Sequence, residues 1–196
     1  MLIKKEQWPI FIIHTIVLLI FSFIFISRKN YEFIWYIVVI VSLMLLVILT
    51  NHKVNYPNGI LWGLAIWSIL HMSGGGIYIG KTRLYDLILL PIVGEPYLIL
   101  KYDQLIHIFG FGVTTFLMYS LIKPLLNKNI KKWYALSIVI IMAGLGAGAL
   151  NEIIEFTVTI FTSSSGVGGY VNTALDLVSN LIGAIIAMAF IIIKEK

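Results

Sequence analysis

Long apolar runs alternate with short polar breaks along the whole chain, and the breaks set its organisation. The runs cover roughly residues 8–26, 33–50, 59–79, 101–122, 133–161 and 171–193. Each is close to or longer than the ~20 residues that an α-helix needs to cross a bilayer. In lipid every backbone N–H and C=O has to be satisfied within the segment, so runs of this kind are helical. The pattern predicts an all-α polytopic membrane bundle of about six transmembrane helices, forming a single membrane domain over 1–196. A further apolar stretch, 84–99, is short and broken by Pro91, Gly94 and Pro96. It is expected to be an interrupted, re-entrant or interfacial segment that caps one side of the bundle.

Composition removes the soluble class. Hydrophobic residues make up 60% of the chain and charged residues only 12%, and mean hydropathy is +0.98, leaving too little polar surface to cover a water-soluble globule. The net charge of +5 does not point to nucleic acid, because the basic residues sit in short clusters between apolar runs, where they orient a membrane protein. With no cysteine in the chain, disulfides, thiolate ligands and a Cys nucleophile are excluded. The run after Lys4 and Lys5 imitates a secretory leader but is too long for one, and Ser27-Arg28-Lys29 offers no small-x-small cleavage site; it reads as a retained first span.

Loop charges give an orientation. With both termini cytoplasmic, Lys4, Lys5, Lys53, Lys123, Lys128, Lys131, Lys132, Lys194 and Lys196 lie inside, and Arg28, Lys29, Lys81, Arg83 and Lys101 outside. That excess favours a multi-pass protein of the cell membrane with loop 162–170 outside. The Arg28-Lys29 pair runs against the rule.

Against this apolar background, His71, Asp103, His107, Glu152, Glu155 and Asp176 stand out, with Asn151, Asn172 and Asn180 beside them. Asp103 and His107 are four residues apart and Glu152 and Glu155 three, while Asn172, Asp176 and Asn180 step by four; each set shares one helix face. Given the span order, four separate helices place these groups in one layer near the outer ends. A lone intramembrane acid also serves as hydrogen-bonded glue between helices, but a whole layer of acids and histidines points to a shared site. Packed carboxylates without a counter-charge either hold protons or gather round a cation. A carboxylate–imidazole mixture suits Zn²⁺, Mn²⁺ or Fe, and the lack of thiolate fits a catalytic rather than a closed structural site. Glu152 or Glu155 is the candidate general base on metal-bound water. Gly144 and Gly148 are expected to form a close-packing seam that brings Glu152 to its partners, and Gly74-Gly75-Gly76 to end the third span. His14 reads as a satisfied packing residue and His52 as a loop residue. The first two spans, residues 1–52, read as peripheral, and 58–193 as a four-span core that carries the site.

The strings His71-Met-Ser-Gly-Gly, Tyr102-Asp103-x-x-x-His107, Asn151-Glu152-x-x-Glu155-Phe156 and Asn172-Thr173-x-x-Asp176-x-x-x-Asn180-x-x-Gly183-Ala184 resemble the YjdF-like bacterial inner-membrane proteins of unknown function. More distantly the chain is similar to the VanZ-like family, whose core has an Asp-x-x-x-His helix, an acidic helix and a terminal Asp-x-x-x-Asn-x-x-Gly helix. The likeness covers about residues 60–187 and implies a shared site rather than a known reaction. The residues themselves favour a membrane-embedded, metal-dependent hydrolase or transferase acting on a membrane lipid or a lipid-linked, amphiphilic substrate. A proton- or cation-coupled transporter and a non-catalytic lipid-binding envelope protein of stress or resistance stay open. The inner halves of the later spans are mostly apolar, which favours a site over a conduit.

Overall fold

A computed structural model describes residues 2–127, 130–162 and 168–195. Lys128, Lys196 and residues 163–167 of the 162–170 loop lie outside the described residues. Six long helices follow one another: α1 (Trp8–Ser27), α2 (Tyr31–Val54), α3 (Asn58–Gly76), α4 (Tyr102–Ile122), α5 (Trp133–Phe161) and α6 (Tyr170–Glu195). Their limits fall within a few residues of the apolar runs, except that α2 continues past residue 50. His52 and Lys53 therefore occupy its last turn rather than a loop. Asn30 starts α2 by accepting a hydrogen bond from the Phe33 N–H, and Asn55 ends it in the left-handed region, a conformation that Asn tolerates better than most residues.

Five of the helices are long and apolar enough to cross a membrane. The remaining one, α3, has 19 residues, about 28 Å at 1.5 Å per residue, which matches the hydrocarbon core. It packs against α1 on one side and α4 on the other, so protein rather than lipid surrounds its Ser68 and His71. The bundle is a multi-pass membrane protein fold.

Contacts at the helix ends define two faces. At one, Gln7 donates to the Tyr56 carbonyl, Asn51 donates to the Leu2 carbonyl, and Lys123 pairs with Glu195. At the other, Arg28 donates to the Gly76 carbonyl at 2.6 Å, and Asn172 reaches Asp103. The helices thus run up and down in sequence order, and both termini lie at the face opposite Asp103. The Arg28 contact gives that cation a local reason for its position: it caps the orphan carbonyls at the C-terminal end of α3.

The segment between α3 and α4 is not a re-entrant helix. It forms two small antiparallel pairs, β1 (Tyr78–Ile79) with β2 (Thr82–Arg83) and β3 (Ile88–Val93) with β4 (Ile99–Lys101), separated by a single 3-10 turn at Leu84–Asp86. Gly94 and Pro96 fall in the turn between β3 and β4, whereas Pro91, which lacks a backbone donor, sits inside β3, where the pairing register is irregular. The turn covers the end of the bundle by dropping the buried Tyr85 against Gly74, where a Cβ would sit 2.7 Å from the ring. Phe33 occupies the same position over Gly75, and Phe21 over Gly76. The three glycines end α3 and let a cluster of aromatic rings close over it.

Small residues also set the approach of the last three helices. The most extensive helix pair is α4 with α6, and a Cβ on Gly183 would overlap the Ile108 carbonyl oxygen. On α5, a Cβ on Gly144 would strike Thr115, and one on Gly148 would lie 2.5 Å from Asn180 Nδ2. The expected seam is present, and it is three-sided. One turn beyond it, α5 delivers Glu152.

Candidate functional site

Helix periodicity brings the polar groups inward. On α6 the buried positions Asp176, Asn180, Gly183, Ala184, Ala187 and Ile191 recur at three- and four-residue steps, so the apolar stripe that packs the helix continues as a polar stripe at its first turns. Asp103 and His107 project from the start of α4, and Glu152 and Glu155 from the far end of α5. All meet in one layer at the face opposite the termini.

His107 is the centre. Its Nδ1 lies 2.9 Å from Asn180 Oδ1 and 3.8 Å from Glu152 Oε1. Its Nε2 lies 3.6 Å from Asp103 Oδ1. An amide oxygen only accepts, so Nδ1–H donates to Asn180, and Nε2 is the nitrogen on the Asp103 side. Asn172 donates to Asp176 Oδ2 at 2.6 Å and reaches Asp103 Oδ2 at 3.4 Å. Asn151 donates to Glu155 Oε1 at 2.7 Å and lies 3.5 Å from Glu152 Oε1. Each asparagine therefore ties a pair of carboxylates together.

Two sets of ligand atoms result, Asp103 with His107 and Asp176, and His107 with Glu152 and Glu155; within each set one atom from every residue lies within 4.8 Å of the others. Asp176 is 1% exposed, and its Oδ1 has no hydrogen-bond partner among the described residues. A buried acceptor left unpaired costs about 1–3 kcal/mol, which makes it the best-placed atom to receive a cation. Gln104 Nε2 and Asn180 Nδ2 are likewise buried without a partner.

His71 stands outside both sets. Its Nδ1 lies 2.5 Å from the Tyr85 hydroxyl, and its ring stacks on Trp67. Burial in the 3-10 turn holds the Tyr85 phenol well above its ordinary range, so it stays an O–H donor. With Nδ1 accepting, Nε2 carries the ring proton and has no lone pair to offer. His71 shares the layer, and its Nδ1 is engaged by Tyr85 while it belongs to neither group of ligand atoms.

Two openings reach the layer. An open pocket of about 530 Å³ brings together Glu32, His71, Arg83, Tyr85, Asp103 and Glu155. A second, between the end of α5 and the start of α6, is lined by Glu152, Phe156 and Tyr170. Asp86, paired with Arg83 at 3.2 Å, lies on the rim of the first. Sequence reasoning missed Glu32 and Tyr85. Glu32 opens α2 in a span that otherwise looks featureless, and only its burial at 7% exposure marks it. Tyr85 lay in the broken stretch, where nothing in the spacing predicts a partner. His14, by contrast, is satisfied by Ser68 at 2.8 Å in the packed interior, as its isolation suggests.

No curated protein and no solved structure matches this chain. A family model described as a predicted membrane protein, DUF2238, matches residues 9–196, and the chain belongs to that membrane protein family.

Proposed function

We propose that this protein is a metal-dependent hydrolase or transferase of the outer membrane leaflet, acting on a lipid-linked or amphiphilic substrate. The observation that carries the reading is the grouping of ligand atoms from Asp103, His107 and Asp176 within 4.8 Å, in which Asp176 is buried and keeps one carboxylate oxygen without a partner among the described residues. Asp103, Glu152, Glu155 and Asp176 share this layer, and the cations Arg83 and Lys101 line the pocket that reaches Asp103 and Glu155. A divalent cation bound by Asp103, His107 and Asp176 would supply Lewis acidity toward a substrate oxygen or water. The donor set of one imidazole and carboxylates fits Zn²⁺, Mn²⁺ or Fe.

Asn180 holds the His107 ring so that Nε2 is on the Asp103 side, the outer-sphere contact that metal-ligating histidines need. Asn172 orients Asp103 and Asp176. Glu152 and Glu155, steadied by Asn151, are the candidate general base, and Glu152 is the one that a substrate entering laterally from the lipid would meet first. Under the positive-inside rule the termini are cytoplasmic and the site faces the outer leaflet.

Elemental analysis of purified protein, with and without Asp103→Ala, tests the reading. Stoichiometric metal in the wild type and its loss in the variant are expected. Metal-free wild-type protein whose stability ignores divalent cations would overturn it and leave proton-coupled transport, in which the same carboxylates carry protons.

A further inference from the structure

On the side of the bundle away from the α5–α6 opening, α2 and α5 form the rims of a slot whose floor is α3 and α4. It offers about 290 Å³ of space, and its walls are almost entirely apolar, with Leu43 and Val47 on one rim, Leu150 on the other and Leu117 and Met118 on the floor. At the site end the character changes, and Tyr36, His71 and Asn151 line it. Tyr36 and His71 also line the polar pocket, so the slot ends against residues that the pocket shares. Along α2 the slot runs from Tyr36 to Val47, about 16 Å at 1.5 Å per residue.

What fills it follows from its walls. Water needs two to four polar partners to occupy a cavity, and the only wall hydroxyl in mid-slot, on Thr114, is already donated to the Gly110 carbonyl at 2.9 Å. An empty slot would forfeit packing along its whole length. Another helix is too wide, because α2 and α5 approach within 8 Å between Cα atoms and a helix is about 10 Å across. A single methylene chain is narrow enough, is the surrounding solvent, and has a polar end that needs partners. We propose that the slot holds one hydrocarbon chain of a membrane lipid, with its polar end at Tyr36, His71 and Asn151, next to the carboxylate layer. The inference stands on the slot and not on a bound cation.

The test uses full-length protein in vesicles of phosphatidylethanolamine and phosphatidylglycerol, doped with a phospholipid that carries a diazirine in one acyl chain. Cross-links are mapped by mass spectrometry. Saturable labelling of Met118 and Leu117, competed by unlabelled phospholipid, is expected. Ala147→Phe, which fills the slot from α5, and Leu43→Trp, which fills it from α2, should each lower that labelling several-fold. Labelling of Phe190 on the lipid-facing side of α6 should stay unchanged, and thermal unfolding reports whether each variant folds. Floor labelling no stronger than that of Phe190, or indifferent to both fillings, overturns the proposal. Repeating the assay with chelator separates the two readings: labelling that survives in protein shown to bind no metal keeps the chain site while the cation site fails.

Discussion

Asn180 on α6 accepts a hydrogen bond from Nδ1 of His107 on α4 across 2.9 Å, and this contact engages Nδ1 and leaves Nε2 for Asp103. Without it the imidazole is free to adopt the other tautomer and to pair Nδ1 with Glu152, which already lies 3.8 Å from that nitrogen. With it, Nε2 is the nitrogen turned toward Asp103. The amide is fixed in turn by Gly148, whose missing side chain makes room for Asn180 Nδ2. Three helices thus cooperate to orient one ring.

Asn180→Ala should weaken divalent-cation binding by about 10–100-fold, the usual cost of losing an outer-sphere partner of a ligating histidine. Titration of chelator-stripped protein with Zn²⁺ or Mn²⁺ measures it. Unchanged affinity in a folded variant would remove Asn180 from the site.

A chelator should lower the midpoint of thermal unfolding in detergent, and added Zn²⁺ or Mn²⁺ should restore it. Binding to the folded state alone contributes about 2.7 kcal/mol at a hundredfold excess over Kd. Because the ligands must be deprotonated, the stabilisation should fade as pH falls. Glu152→Gln keeps the shape and should blunt the response without unfolding the bundle. A wild type that ignores the chelator sinks the cation reading.

Gly148→Ala should destabilise the bundle by about 1–3 kcal/mol, the range for overpacking a filled interior, and should also disturb cation binding through Asn180. Gly146→Ala, where no atom lies within 4 Å of the added carbon, should be neutral or slightly stabilising, by up to about 1 kcal/mol. Parallel unfolding curves decide the matter; equal effects at the two positions would contradict the three-sided seam.

Tyr85→Phe removes the donor to His71 and should cost about 1 kcal/mol, somewhat more where the buried nitrogen finds no other partner. Because His71 lies outside both ligand sets, the response to chelator should persist. Its loss in this variant would return His71 to the ligand set.

The absence of cysteine makes single-cysteine labelling direct. A cysteine at Lys81, exposed between β1 and β2, should react with an impermeant maleimide added outside intact cells. One at Leu125, 82% exposed at the opposite face, should react only after permeabilisation. The reverse pattern would place the carboxylate layer at the cytoplasmic side.

Much of this architecture was legible in the chain, because a bilayer leaves the backbone few choices. Once the apolar runs were long enough to span, helices were obligatory, and their limits followed from the polar breaks and the glycines at 74–76. Helical periodicity alone put Asp103 with His107, Glu152 with Glu155, and Asp176 with Asn180 on common faces, and counting residues from the helix ends put all of them in one layer. The sequence by itself therefore determined the fold class, the depth of the polar groups and the stripe that each helix turns inward.

Which groups touch was decided only in three dimensions. Rotation of each helix about its own axis depends on close approaches such as Gly183 against Ile108, and a single sequence does not reveal the partner of a small residue. His71 has the right depth, yet Tyr85 from a broken stretch of β-pairs takes its free nitrogen. Glu32 looks isolated at the start of α2, yet α2 packs so that it opens into the pocket. Intramembrane periodicity is local and set by the backbone, whereas the pairing of polar groups depends on how neighbouring helices fill one another's gaps, and that is a property of the packed bundle alone.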